Sequence, residues 1–216
     1  MPRARRILFP GAFYHVYNRG VEKRPIFYDD RDRRTFLQLL ADTVLEFGIR
    51  LFAHCLMDNH FHLFLQTPQG NLDRAMQSLL SQYVHHVNLT HQRVGPLFQG
   101  RYKARMVDAD SYATSLARYI HKNPLEAGLV ERLEDYPWSS YSCYVGKLPL
   151  WKWLDAEWLL RKFHSDLEVA KVMFIAFHQQ MSPEPERQLL QNLKKDLRSP
   201  KGVRPLFPCK RGLTPL

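Results

Sequence analysis

The chain has 216 residues, 45% of them hydrophobic and 24% charged, with a formal net charge of +10. That length suits one domain of ordinary size with an addition, and the composition is that of a soluble globular protein. No apolar run approaches the roughly 20 residues of a membrane span, and the start, "MPRARRILFPGAF", has too short an apolar stretch for a secretory signal.

"GAFYHVYNRG" is rich in aromatic and β-branched residues and ends in Asn-Arg-Gly, so it reads as a first strand and turn. Asp29 and Asp30 offer caps for a helix near 31–48, with Phe36, Leu37, Leu40, Val44 and Phe47 as its apolar stripe and Gly48 as its stop. "IRLFAHCLM" and "HFHLFLQT" are a second and a third strand, joined through Asp58-Asn59 in a tight hairpin turn. Asn71 can cap a second long helix carrying Leu72, Ala75, Met76, Leu79, Tyr83 and Val87 at helical spacing. "LFQGRYKARMVD" reads as a fourth strand. Asp108 or Asp110 can cap a third helix, which is expected to end near Asn123 because Pro124 disfavours the helical conformation in the residue before it. The order strand, helix, strand, strand, helix, strand, extra helix is that of an α+β fold. It predicts a ferredoxin-like split βαβ sheet, antiparallel, with helices on one face. From about Tyr136 the pattern changes to aromatic connections, short helices and a Pro-rich basic end. Residues 1–145 are therefore read as the main domain and 146–216 as a helical, basic extension.

The charge is uneven. From Arg74 to Val107 there are five basic residues and no Asp or Glu, and from Arg187 onward there are eight basic residues against Asp196 alone. Arg3, Arg5 and Arg6 crowd the start. Such clusters suit a phosphate-bearing polymer, with ordinary solubility charge as the alternative. Cys55, Cys143 and Cys209 are odd in number and widely spaced, which suggests neither a disulfide framework nor a zinc knuckle and points to a reducing cytoplasm.

Residues two apart on a strand share a face. His60, His62, Phe64 and Gln66 therefore point one way, while Phe61, Leu63 and Leu65 point toward the helices, which leaves both histidines on an open face. Paired imidazoles suit a divalent first-row metal, but a working site needs a third ligand, and a polar strand face with two chance histidines is the other reading. On the third helix Tyr119 and Asn123 are four apart and share a face. Asn123 can give a carbonyl oxygen to a hard cation, and Tyr119 can act as a nucleophile if its hydroxyl, ordinarily near pKa 10, is helped. Tyr112, Leu116, Tyr119 and Ile120 equally form a packed helical stripe.

Taken together, "FYHVYNRG", "HCLMDNHFHLFLQTP", "LFQGRYKARMVD", "YIHKNPLEAGLV" and "YPWSSY", in this order over residues 13–141, carry a family likeness. The chain resembles the single-tyrosine HUH transposases, and within them the REP-associated tyrosine transposases. The family's usual Met-Pro-Asn-His-x-His has Asp58 in place of proline here. The resemblance implies that His60, His62 and Asn123 bind Mg²⁺ or Mn²⁺, and that Tyr119 attacks single-stranded DNA. The products are a 5′-phosphotyrosine link and a 3′-hydroxyl that can later rejoin strands. It implies a transposase acting in DNA transposition or REP-element processing, with hairpin-bearing single-stranded DNA as partner, in the cytoplasm and on the nucleoid. By analogy with members that carry a C-terminal extension, a monomer is favoured over a homodimer.

Arg101, Lys103 and Arg105 alternate along the fourth strand as a row of phosphate contacts or as a solvated edge. Asn18 and Arg19 match the first-strand motif and either touch DNA or make the turn. Arg5 and Arg6 would form a basic arm or an unstructured end. His85, His86 and His91 read as surface or partly packed, and His15 as structural. Two rivals remain: a non-catalytic nucleic-acid-binding protein on the same fold, and a phosphodiesterase that uses water and does not need Tyr119. Sheets of this architecture that stack RNA expose aromatics on the open face. Here that face carries the histidine pair with Tyr119 over it, which favours the enzyme.

Overall fold

Strand β1 (Ala12–Arg19) takes the centre of the sheet because nearly every residue in it is buried, on both faces. The computed structural model describes residues 8–180, so Arg3, Arg5, Arg6, Cys209 and the basic C-terminal run lie outside the described residues. β2 (Arg50–Met57), β3 (His60–Thr67) and β4 (Lys103–Met106) complete an antiparallel sheet of order β2-β3-β1-β4. Together with helices α1 (Asp30–Glu46) and α2 (Leu72–Thr90), this is the split βαβ arrangement expected from the element order.

α1 begins where Asp29 accepts hydrogen bonds from the backbone N–H groups of Arg31 and Asp32. It ends before Gly48, whose φ of +61° suits glycine. Of its stripe Phe36, Leu40 and Val44 are buried and Leu37 and Phe47 half-buried, and the α2 stripe of Leu72, Ala75, Met76, Leu79, Tyr83 and Val87 is all buried. Phe36 meets Phe61 of β3 and Tyr83 of α2 with ring centres 5.0 Å apart in each case. Asn71 stands at the N-cap of α2, but its side chain does not cap: it donates to the Phe47 carbonyl at 2.9 Å and ties the end of α1 to the start of α2. At the end of β1, Gly20 is required by close approach, since a Cβ there would lie 2.1 Å from the Arg24 carbonyl oxygen.

The two-residue hairpin at Asp58-Asn59 takes no positive φ, unlike the type I′ turns that usually close such loops. It is held from outside instead. The Asp58 carbonyl accepts from Ile26 and Phe27 N–H, and its carboxylate pairs with the nearly buried Arg33 of α1.

Three expectations change. The sheet face opposite α1 and α2 is not open, because α3 (Ala109–Glu126) and the C-terminal segment cover it. His62 and Phe64 are fully buried there. α3 does not stop at Asn123 but runs through Pro124 to Glu126. The proline removes the N–H that would bond the Ile120 carbonyl, and the Asn123 side chain moves in, donating to Tyr119 O at 2.8 Å and lying 3.5 Å from Ile120 O. The fourth strand spans only four residues, with Arg101 in the loop before it.

Residues beyond the sheet close its β2 edge. Leu56 N–H donates to Trp138 O, Ser140 N–H to His54 O and Asp155 N–H to Leu51 O. α4 (Tyr141–Tyr144), α5 (Ala156–Leu160) and α6 (Leu167–Gln179) follow. Trp158 of α5 packs on Phe52 and Phe13, with ring centres at 4.2 and 5.2 Å. His54 is shut in beneath stacked Trp151 and Trp153 with both ring nitrogens unpartnered, and burial lowers its pKa to about 3.

Phe36→Ala is expected to lose about 3–5 kcal/mol in urea unfolding, as for a large aromatic removed from a packed core. A second expectation concerns acid. His54 and His178, both held near pKa 3 chiefly by burial, stay neutral in the fold. The unfolded chain takes up protons below about pH 6.5, so stability falls as pH drops from there toward 3. Urea midpoints across that window should show this, and His54→Leu should flatten the slope.

Candidate active site

The pairing of β1 with β3 sets Tyr17 opposite His62 and Arg19 opposite His60. Because alternate residues share a face, His15, Tyr17 and Arg19 stand beside the histidine pair. β4 adds Lys103 opposite Tyr17 and Arg105 opposite His15. α3 then brings Tyr119 over the same face, its ring 5.4 Å from that of His62 and 5.8 Å from that of His15, edge-on to both. The structure thus brings His60, His62, Tyr119 and Asn123 together.

The hydrogen bonds orient the imidazoles. His62 Nδ1 lies 2.9 Å from His15 Nε2, and His60 Nδ1 lies 2.7 Å from Asn59 Oδ1. Each outer partner fixes a ring and leaves the Nε2 nitrogen for another purpose, as the outer partners of metal-bound histidines do. The His62 Nε2 and Tyr119 hydroxyl are buried with no hydrogen-bond partner, as is His15 Nδ1. Buried polar atoms are paired in the great majority of cases, and each unpaired one costs about 1–3 kcal/mol. Several in one place, under the positive charge of Arg19, mark a site shaped for a ligand.

Burial is the main cause of each pKa shift here. It pushes His62 well below its ordinary value, with the neighbouring His15, His60 and Arg19 adding to the effect. His60 is lowered to about 4 by burial and then by Arg19, against an opposing hydrogen bond to Asn123. Both imidazoles are therefore neutral at pH 7 with lone pairs to offer. The Tyr119 hydroxyl is pushed up by burial, then by Glu126 and Tyr17, with Asn123 offsetting part. As a nucleophile it would need nearby positive charge.

The donor set fits a small divalent cation: two neutral imidazole nitrogens and the Asn123 carbonyl oxygen, which faces away from the helix because its amide nitrogen is held by Tyr119 O. Among the described residues no group of three His, Cys, Asp or Glu could hold a metal, so a third ligand would have to be an amide oxygen or come from a bound molecule.

The basic residues separate. Arg19 stands beside His60 and His62, and Arg101 is exposed. Lys103 is half-buried, with its amine 6.0 Å from the Tyr17 ring centre. Arg105 is buried among Tyr17 and His15, so 101, 103 and 105 do not form an exposed row. The cause is pairing with β1, which turns Arg105 inward. Asn18 is buried too. It donates to the Gly100 carbonyl at 3.2 Å and accepts from Arg19 N–H, bracing the loop before β4. His86 and His91 pair with the buried carboxylate of Asp32, well away from this site. Sequence reasoning missed His15, Tyr17 and Asn59. The alternation His15, Tyr17, Arg19 was readable in "YHVYNR", but not the register that sets it beside His62.

Residues 10–123 match the family model described as "Transposase IS200 like". A curated protein of Haemophilus influenzae named "Putative REP-associated tyrosine transposase" is 24% identical over 117 residues, 49% of this chain and 66% of that protein. The chain thus spans just under two thirds of that relative's length. A solved structure of a REP-associated tyrosine transposase bound to a REP hairpin aligns with a TM-score of 0.58 at 16% identity. It covers 69% of this chain and 90% of the other, and the likeness lies in the fold. Since the family match covers more than half of the chain, including all four strands, both histidines and the tyrosine, the chain belongs to the IS200-like transposase family.

Proposed function

We propose that the protein cleaves and rejoins single-stranded DNA with Tyr119 as nucleophile. The observation that carries this reading is the buried Tyr119 ring set edge-on 5.4 Å from the ring of His62, whose buried Nε2 has no hydrogen-bond partner, with Arg19 supplying positive charge beside it. Attack by the phenol oxygen forms a phosphorus–oxygen bond to Tyr119 while the bond from phosphorus to the 3′ oxygen breaks. The DNA is left with a free 3′-hydroxyl and a 5′ end linked to the protein. One phosphate ester replaces another, so the 3′-hydroxyl can reverse the step with no outside energy source. Burial of Tyr119 keeps water from the link, and Arg19 is placed to hold the scissile phosphate.

Mg²⁺ or Mn²⁺, held by His60, His62 and Asn123, would polarise the phosphate and favour ionisation of the phenol. Hairpin-bearing single-stranded DNA is the proposed substrate, in line with the hairpin bound by the solved relative, and transposition or REP-element processing is the proposed setting, in the cytoplasm and on the nucleoid. Arg101 and Lys103 are placed for phosphates at the rim, with Arg5 and Arg6 as further contacts. We take residues 1–145 as the catalytic unit and 146–216 as its extension, working as a monomer.

With Mn²⁺ and a labelled hairpin single strand, the parent protein should form a covalent protein–DNA adduct that is absent in Tyr119→Phe. Cleavage that persists in the variant without an adduct would instead make water the nucleophile. Mn²⁺ binding, followed by calorimetry without DNA, should weaken at least about tenfold in His62→Ala, the lower end of the usual cost of losing support at a metal site. Equal affinity in the two proteins would remove the histidine pair from the metal's coordination.

A further inference from the structure

α3 carries two working faces about a third of a turn apart, at about 100° per residue. Tyr119 and Asn123 face the histidine pair. Arg118, His121 and Lys122, spaced by three and four, face the C-terminal segment, and α6 grips them. Arg118 donates to the Phe177 carbonyl at 2.9 Å and lies 3.7 Å over its ring. Lys122 donates to Gln180 O at 2.8 Å. Between these, His121 sits in a buried line. His178 Nδ1 donates to Phe174 O at 2.8 Å, so its Nε2 accepts from His121 Nδ1 at 3.0 Å. His121 Nε2 then accepts from the Ser140 hydroxyl at 2.8 Å, and the Ser140 oxygen accepts from His54 N–H on β2. Every tautomer in the line is fixed by the bond before it.

A serine, a histidine and an orienting group in this order resemble a hydrolytic triad. Their hydrogen bonds are spent on joining elements, however: the Ser140 hydroxyl is held between His121 Nε2 and the backbone of His54. What the line does is tie α3 to β2 at one end and to α6 at the other. α6 lies wholly beyond residue 123, where the family match ends.

We propose that α6 is the positioning element of the tyrosine helix, with His178, acting through His121, setting the aim of the Tyr119 hydroxyl at His62. This rests on the reading of Tyr119 as nucleophile. The leverage is geometric. A roll of α3 by about 7° moves a hydroxyl about 8 Å from the helix axis by about 1 Å. A 1 Å misplacement at a reacting centre costs on the order of 10²-fold in rate. His178 is a positioning residue: it touches neither DNA nor the histidine pair.

The test compares the full-length parent with His178→Phe, which keeps a planar ring, somewhat larger, and removes the acceptor, and His178→Gln, which restores an acceptor for His121. At saturating hairpin DNA, His178→Phe should slow adduct formation on the order of 10²-fold while hairpin affinity stays unchanged, and His178→Gln should regain most of the rate. A lower melting temperature with an unchanged rate would make α6 a plain stabiliser and overturn the proposal. Hydrogen exchange on the DNA-free protein decides it independently of catalysis. α3 amides should lose protection in His178→Phe while β1 and β3 keep theirs, and equal protection of α3 counts against the clamp. If the parent forms no adduct, Tyr119 as nucleophile fails, and exchange alone still decides the role of α6. Phe177→Ala, which removes the Arg118 stacking, gives the same readouts if His178→Phe does not fold.

Discussion

The antiparallel register of β1 against β3 is the constraint on which the site depends. With Tyr17 opposite His62, three side chains of β1 (His15, Tyr17 and Arg19) stand on the histidine face. A slip of one residue would turn all three toward α1 and α2 and bring Tyr14, Val16 and Asn18 to the site instead. Two local features hold the register. Gly20 lets the chain fold tightly against Arg24 at the end of β1. Arg33 and the Ile26–Phe27 backbone grip the Asp58 turn at the start of β3. Asp58 therefore has a physical role, since its carboxylate gives Arg33 a partner that a proline at this turn would not.

Burial decides the chemistry once the register is set. On an open face, His60 and His62 would be hydrated and half-protonated near pH 6.5. Under α3 they are neutral, oriented by Asn59 and His15, and partly unpaired. The same burial makes Tyr119 a poor acid by itself. On the proposed reading, Tyr119 would stay inactive until positive charge and a phosphate arrive together, and its burial would protect a covalent intermediate from water.

Much of the fold was legible because periodicities of two and of 3.6 were clean. They placed the strands, both long helices and the buried stripes, and they paired Tyr119 with Asn123. What was not legible depends on contacts distant in sequence. No local pattern said that α3 and the tryptophans of the C-terminal segment would cover the histidine face. Alternation alone made Arg101, Lys103 and Arg105 an exposed row, whereas pairing with β1 buried Arg105. Asn18 and Asn71 have the residue types of a DNA contact and a cap, yet each amide is drawn to a carbonyl on a distant segment, Gly100 O and Phe47 O. The expected stop before Pro124 did not hold: the helix runs on to Glu126, with the Asn123 side chain turned back onto Tyr119 O.

That last contact has a further effect. An asparagine amide is nearly symmetric in shape and can face either way, so at most positions its polarity depends on circumstance. Here the nitrogen end of Asn123 donates to Tyr119 O at 2.8 Å and lies 3.5 Å from Ile120 O, the carbonyl that Pro124 leaves without its N–H. The oxygen end is thereby turned outward permanently. Asn-Pro in "YIHKNPLEAGLV" thus works as a single polarised unit, in which the helix carbonyls select which end of the Asn123 amide faces inward. Aspartate, of nearly the same size, would set two oxygens against the Tyr119 carbonyl and could not take the place.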